Sequence, residues 1–276
     1  EQMAGYETLV TYNGRSFDWP LIKNRYVMHR LPVPRDPGHL DLMHPSRSLW
    51  KTTMPSCRLA VVEEAKLGVR RTDDVRGSMA PVLYFRYLAE RNATVLRGVF
   101  EHNVADIASL LALTIHFGRL LEGAVPYETL SAPELLRLGL WYERLGFEEE
   151  ALHAVSALAD RPAKEALPVL REAALFFKRR KMWAEATKLW RLLAEQESRR
   201  SFPPLEPYIE LAIVYEHRLK DAAAALYWTE EALKRAERRF SLVRAGTGAG
   251  GEAGIRQTIL DLRKRKERLL KKQRLF

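Results

Sequence analysis

Hydrophobic and polar positions follow two different rhythms along this chain. In the first, Glu7 to Tyr12 is short, β-branched and aromatic, and predicts a buried strand ending at the turn pair Asn13-Gly14. From Ser16 to Arg30 the positions Phe17, Leu21, Ile22, Arg25 and Tyr26 follow helical spacing, and Pro32, Pro34 and Pro37 end that helix. His39 to Met43 predicts a second strand. Helices are then expected over Pro45–Trp50, Cys57–Leu67, Pro81–Glu90 and Ala93–Leu121, the last broken near His102-Asn103. Strand alternating with helix implies helices covering a sheet. Two strands are rarely stable alone, so the rest of the sheet is expected upstream of Glu1.

From about Pro126 no strand pattern is visible, and a repeat takes over. Tyr142, Ala151 and Val155 recur 35 residues on as Phe177, Ala186 and Trp190, and 38 beyond those as Tyr215, Ala224 and Trp228. Each unit places an aromatic late in one helix and a small alanine early in the next, so that two helices approach closely. Gly139-Leu-Trp-Tyr142, Leu145-Gly146-Phe147 and Ala151 resemble the tetratricopeptide pattern over residues 131–238. A plain helical bundle is the alternative. Trp141, Trp183, Trp190 and Trp228 read as repeat core rather than base-stacking platforms.

Composition adds boundaries and a compartment. The chain has 276 residues, 47% hydrophobic and 29% charged, which excludes wholesale disorder. Its single cysteine excludes an internal disulfide framework or an all-cysteine metal cage, and a reducing, cytoplasmic compartment fits. The longest charge-free apolar stretch, Ile107–Gly118, is too short to span a bilayer, so no membrane partner is expected. Residues 1–125 hold 16 basic and 13 acidic residues, a net +3; residues 126–276 hold 29 and 22, a net +7. Ile255–Phe276 alone has 9 basic and 2 acidic residues. Such a segment favours a polyanion, or caps the last repeat with its apolar stripe Ile255, Ile259, Leu262 and Leu269. Four segments result: an α/β region 1–125, helical repeats 126–244, a Gly-rich linker 245–254 and a basic amphipathic helix 255–276. The linker has neither the preceding strand nor the Gly-Lys-Ser/Thr of a phosphate loop.

Two clusters in the first region carry candidate chemistry: Tyr12-Asn13-Gly14-Arg15-Ser16-Phe17-Asp18, and His102-Asn103-Val104-Ala105-Asp106. His102 and Asp106, four apart, share a face on a continuous helix. An Asp near a helix start is often only a cap or dipole partner, so spacing alone leaves the structural reading open. His29, His39 and His44 form no metal constellation with a cysteine.

Asn-x-x-x-Phe-Asp after a strand, then His-x-x-x-Asp about 85 residues later, resembles the second and third motifs of DEDD-type exonucleases of the ribonuclease-H-like fold. Leu40-Asp41-Leu42, Cys57-Arg58-Leu59, Glu63, Leu67-Gly68, Arg71-x-Asp73-Asp74-Val75-x-Gly77 and Pro81-x-x-Tyr84 extend the likeness. The order is that of bacterial ribonuclease-H-like proteins with C-terminal tetratricopeptide-like repeats. The fold implied is a partial α/β ribonuclease-H-like domain, its first strands missing, followed by an all-α helical repeat.

That resemblance implies phosphodiester hydrolysis from a 3′ end by two divalent ions, Mg²⁺ or Mn²⁺, held by hard carboxylate oxygens. It implies Asp18 and Asp106 as metal ligands, and His102 as the group that orients or deprotonates water. Asn13, Phe17 and Asn103 would touch a nucleic acid substrate, DNA or RNA, single-stranded or a 3′ end. The family's first motif, Asp-x-Glu, is not found before Asn13, so the two-metal site is incomplete in this chain and the chain is expected to be N-terminally truncated and a poor enzyme. The alternative is a non-catalytic module with a degenerate nuclease fold, whose repeats bind a protein partner.

Overall fold

A computed structural model describes residues 6–71, 75, 77–198, 203–245 and 252–273. Among them lies one parallel sheet of two strands, β1 (Thr8–Thr11) and β2 (Gly38–Asp41), joined through α1 (Asp18–Met28). The register pairs Thr8 with Gly38 and Thr11 with Asp41. β1 is half-buried rather than buried as its apolar pattern suggests. Helices α2 (Met43–Trp50) and α3 (Leu59–Val62) follow, and α3 runs into a π-helical turn at Glu63–Leu67. Then come α4 (Ala80–Glu90), a 3-10 turn at Ala93–Leu96 and α5 (Arg97–Leu121). Asp73 and Asp74 lie outside the described residues.

α5 differs from expectation in being continuous through His102-Asn103. Neither Pro nor Gly interrupts it there, and His102 is tied to Asp106 one turn on. The discontinuity falls earlier, where Asn92 Oδ1 accepts the Thr94 N–H at 3.1 Å and caps the 3-10 turn. Ala93–Leu121 is long and apolar enough to cross a membrane by length and composition. One of its faces nevertheless carries His102, Asp106 and Ser109 in a hydrogen-bonded ionic network, which hydrocarbon would penalise.

The remaining helices are α6 (Ala132–Leu145), α7 (Glu148–Ser156), α8 (Ala163–Arg179), α9 (Trp183–Glu197), α10 (Glu206–His217), α11 (Ala222–Ala245) and α12 (Glu252–Gln273). The chain divides into two compact units, residues 1–130 with 140–151, and residues 131–139 with 152–276. In the first, Leu42, Leu49, Trp50, Val62, Leu113 and Phe117 form the core, with the Trp50 and Phe117 rings stacked at 5.3 Å. Tyr142 is fully buried and its hydroxyl donates to the Leu120 carbonyl at 2.5 Å; burial pushes its pKa up to about 12. In the second, α8 packs on α9, α9 on α10, α10 on α11 and α11 on α12.

The recurring aromatic–alanine–apolar positions are buried except for Ala224 and Trp228, which are half-buried. The α6–α7, α8–α9 and α10–α11 turns reverse through a left-handed residue, Gly146, Lys181 and Lys220 at φ of 84, 60 and 58°. The next N–H bonds back to the carbonyl of the repeated aromatic, Phe147 to Tyr142, Met182 to Phe177 and Asp221 to Tyr215. This is the way α-helices commonly terminate. Ion pairs link successive first helices, Arg137 to Glu172, Arg171 to Glu206 and Lys178 to Glu210.

α12 starts at Glu252, three residues before the expected Ile255, because Glu252-Ala-Gly254 joins the helix. Residues 246–251 of the expected linker and residues 274–276 lie outside the described residues. Ile259, Leu262 and Leu269 of α12 are buried. Arg268 and Lys272 donate to Glu216 of α10 at 2.8 and 3.2 Å. Burial pushes the Glu216 carboxyl up, but these cations outweigh it and bring it down to about 2.

Candidate active site

The sequence folds the first candidate cluster around a buried acid. β2 ends at Asp41, whose carboxylate accepts the Asn13 N–H at 2.7 Å, the Arg15 N–H at 3.1 Å and the Met43 N–H at 3.1 Å. Charge-assisted bonds of this kind are among the stronger ones available to a loop. They pin the turn that leads from β1 into α1. Asn13 holds a left-handed φ of 70°, which asparagine tolerates. Its carbonyl accepts the N–H groups of Ser16 and Phe17 at 3.2 Å. Gly14 is required next, since a Cβ there would fall 2.6 Å from Thr11 Cβ. Asp18 opens α1, and both it and Phe17 are exposed.

The second cluster lies along one face of α5. His102 Nε2 is 3.5 Å from Asp106 Oδ2. Arg71 reaches the same face: Nη2 donates to Asp106 Oδ1 at 2.6 Å, and Nη1 lies 3.2 Å from His102 Nδ1. The other edge of the guanidinium grips Glu63 through Nε at 2.5 Å and Nη2 at 2.8 Å. Glu63 is fully buried and also accepts the Ser109 hydroxyl at 2.6 Å. Hydrogen bonding to Glu63 raises the Arg71 pKa above the arginine range against the effect of burial, and Asp106 adds to the rise. Asn103 is exposed on the flank of α5.

This wiring bears on what His102 and Asp106 can do. A guanidinium has no lone pair to offer, so His102 Nδ1 is the acceptor and a neutral ring carries its proton on Nε2, toward Asp106. The lone pair that would take a proton from water is directed at Arg71. Carboxylate oxygens are the right donors for Mg²⁺ or Mn²⁺, but one oxygen of Asp106 already faces a cation. No group of three or more His, Cys, Asp and Glu side chains is placed to hold a metal among the described residues. Among the described residues the side chains do not make up a two-metal site.

Residues 1–117 match the model of the RNase_H superfamily. The first region is thus similar to ribonuclease-H-like domains. The chain is also 33% identical over 233 residues to a protein of Bacillus subtilis (strain 168) named Uncharacterized protein YprB. That similarity covers 83% of this chain and 55% of the relative, so the chain spans about half the length of the protein it matches. No solved structure matches it. The superfamily match supports a nuclease-like function for the first region, which is followed by a largely helical region.

Sequence reasoning did not assign roles to Glu63, Arg71, Ser109 or Asp41. A usable signal existed for Glu63, a carboxylate closing the apolar run Leu59-Ala-Val-Val62 at helical spacing, where a buried acid requires a partner. Its position at the start of a π turn, a feature frequent at functional positions, is visible only in the fold.

Proposed function

We propose that the chain is part of a metal-dependent nuclease that removes nucleotides from the 3′ end of single-stranded DNA or RNA. The observation that carries this reading is the His102–Asp106 pair on α5, within the region that matches the RNase_H superfamily. In it Asp18 and Asp106 contribute oxygen donors for Mg²⁺ or Mn²⁺, and the remaining acids belong to an Asp-x-Glu upstream of Glu1 in a longer protein. Asn13, Phe17 and Asn103 contact the substrate, and tetratricopeptide-like repeats in the helical region receive a protein partner. Because the donor set in these residues falls short of a two-metal site, no metal-borne step is assigned to them alone. What they contribute is an oriented carboxylate at Asp106 and a ring at His102 held beside it.

The test is a version extended upstream through an Asp-x-Glu, incubated with 5′-labelled single-stranded DNA and RNA and Mn²⁺. The expected result is stepwise shortening from the 3′ end, abolished by Asp106→Asn with an unchanged melting temperature. An undiminished rate in Asp106→Asn overturns the role of Asp106. A second reading, a non-catalytic interaction module, is favoured by Arg71 already neutralising Asp106. It prevails if no Asp-x-Glu is encoded upstream or the extended protein leaves both substrates intact.

A further inference from the structure

Three helices of the second unit finish at the same end of the stack. α8 and α10 run parallel, since Arg171 pairs with Glu206 and, further along both helices, Lys178 pairs with Glu210. Glu216, in the last turn of α10, meets Arg268 and Lys272 in the last turns of α12. Arg218 lies over the Trp183 ring at 4.7 Å and so joins the α8–α9 turn to the α10–α11 turn. That end is basic. Arg179, Arg180 and Lys181 close α8, Arg218 and Lys220 follow α10, and Lys271 stands in the last turn of α12. The two turns themselves, residues 179–183 and 216–222, contain two acids, and both are engaged. Glu216 is held by α12, and Asp221 accepts the Ala224 N–H at 2.9 Å.

Cations in the last turn of a helix offset its dipole, an effect that fades beyond that turn. It accounts for Arg179, but not for Lys181 and Lys220. Both stand past the last turn, exposed, in left-handed backbone at φ of 60 and 58°. A Cβ is disfavoured there, and glycine is at ease; the α6–α7 turn has Gly146. Two successive turns thus keep a charged side chain where the backbone favours none. Strain retained at an exposed cation points to a role outside the fold.

We infer that this basic end binds the phosphate backbone of single-stranded nucleic acid, with Lys181 and Lys220 as contact residues. Choosing nucleic acid over an acidic protein rests on the nuclease reading of the first region. The strand is held here by charge, without base readout, and binding requires no hydrolysis.

The experiment uses the 276-residue chain and a fluorescein-labelled oligothymidylate in EDTA, with affinity read by anisotropy across a salt series. K181G/K220G removes both charges and relieves the strained backbone, so its melting temperature should hold or rise. Its affinity should fall about tenfold, and its logarithmic salt slope should flatten by about 1.4, two contacts at about 0.7 each. K181R/K220R should bind like the unmodified chain. Should the glycine variant lose its helical signal, K181Q/K220Q carries the same expectation. R238A/R239A removes two exposed cations near the C-terminus of α11, which runs the opposite way, and should weaken binding less than about twofold. Unchanged affinity and slope in the lysine variants overturn the inference. So does an equal loss in R238A/R239A, which would make binding a matter of net charge. Binding of polyglutamate in place of the oligonucleotide, through the same lysines, overturns the choice of nucleic acid in favour of an acidic protein. None of these readouts involves catalysis, so the role proposed for Asp106 fails or survives separately.

Discussion

In the helical unit, α8 to α12 cover one another's apolar faces, and Trp190, Phe176, Phe177 and Tyr208 are almost wholly inaccessible. In the first unit Phe100, Val104, Ile107, Leu111 and Ile115 form an exposed stripe along α5, and Val82 and Phe85 are exposed on α4. Among the described residues the sheet there has two strands, fewer than a layered domain ordinarily needs. The contrast lies in how contacts are distributed along the chain. In a run of helices where each packs on the next, apolar faces are buried against sequence neighbours, so a local stretch is sufficient. An α/β layer buries its helices against strands drawn from distant parts of the chain. Polar ties span similar separations in both units, 46 residues from Glu63 to Ser109 and 52 from Glu216 to Arg268, so the contrast lies in the apolar faces.

Substitutions that sever a single tie in each unit sharpen this contrast. The largest effect is expected at Glu216→Ala, which leaves Arg268 and Lys272 facing a void where a buried carboxylate stood. Arg268 and Lys272 are half exposed and regain water, so the loss is that of their charge-assisted hydrogen bonds, about 1.5–3 kcal/mol, to be read as a fall in the urea midpoint of the helical signal. The same tie carries a pH dependence. Glu216 titrates at about 2 when folded against an ordinary 4.5, so its contribution is complete above pH 4.5 and is lost as pH falls toward 2. Amide exchange in α12 should accelerate over that window, and in Glu216→Gln the acceleration should be absent.

A smaller effect is expected at Asp41→Ala in the first unit. The three backbone N–H groups it receives would be left without that acceptor, at a cost of about 1–3 kcal/mol. The Asn13–Asp18 turn should then exchange its amides faster while the helical unit keeps its own stability. Smallest is Arg86→Ala. Its partner Glu90 is one helical turn away on an exposed face of α4, and such a pair contributes about 0.3–0.5 kcal/mol, so the melting temperature should hardly move. A large loss there would mean that α4 is covered by something that the exposed pair helps to dock.

The order of elements is legible in the sequence, because strand and helix rhythms are local properties. Pro32, Pro34 and Pro37 separate α1 from β2, and the aromatic–alanine recurrence falls on consecutive helices with Gly146, Lys181 and Lys220 at the turns. The ionic cluster is less legible. His102 and Asp106 announce themselves by a spacing of four, whereas Arg71 sits between α3 and α4 with no periodicity to mark which way it reaches. The unbroken course of α5 escapes the sequence for a related reason. His102-Asn103 is polar enough to suggest a break, but its partner Arg71 lies outside any local window.

The clamp on α12 alters what the charge of the molecule means for a polyelectrolyte. Of the basic side chains between Glu252 and Gln273, Arg263, Arg265, Lys266, Arg268 and Lys272 face Glu237, Glu216 or Glu230, leaving Arg256, Lys264 and Lys271 outside those pairs. A phosphate backbone laid along this helix would gain condensed-ion release chiefly from those three, for a logarithmic salt exponent of about −2 to −3. The formal +10 of the chain would suggest a far steeper one. Raising ionic strength would act at two levels, screening the weak backbone contact and loosening the exposed members of the clamp, Arg263 with Glu237 and Lys266 with Glu230, while Glu216 stays shielded from the bath.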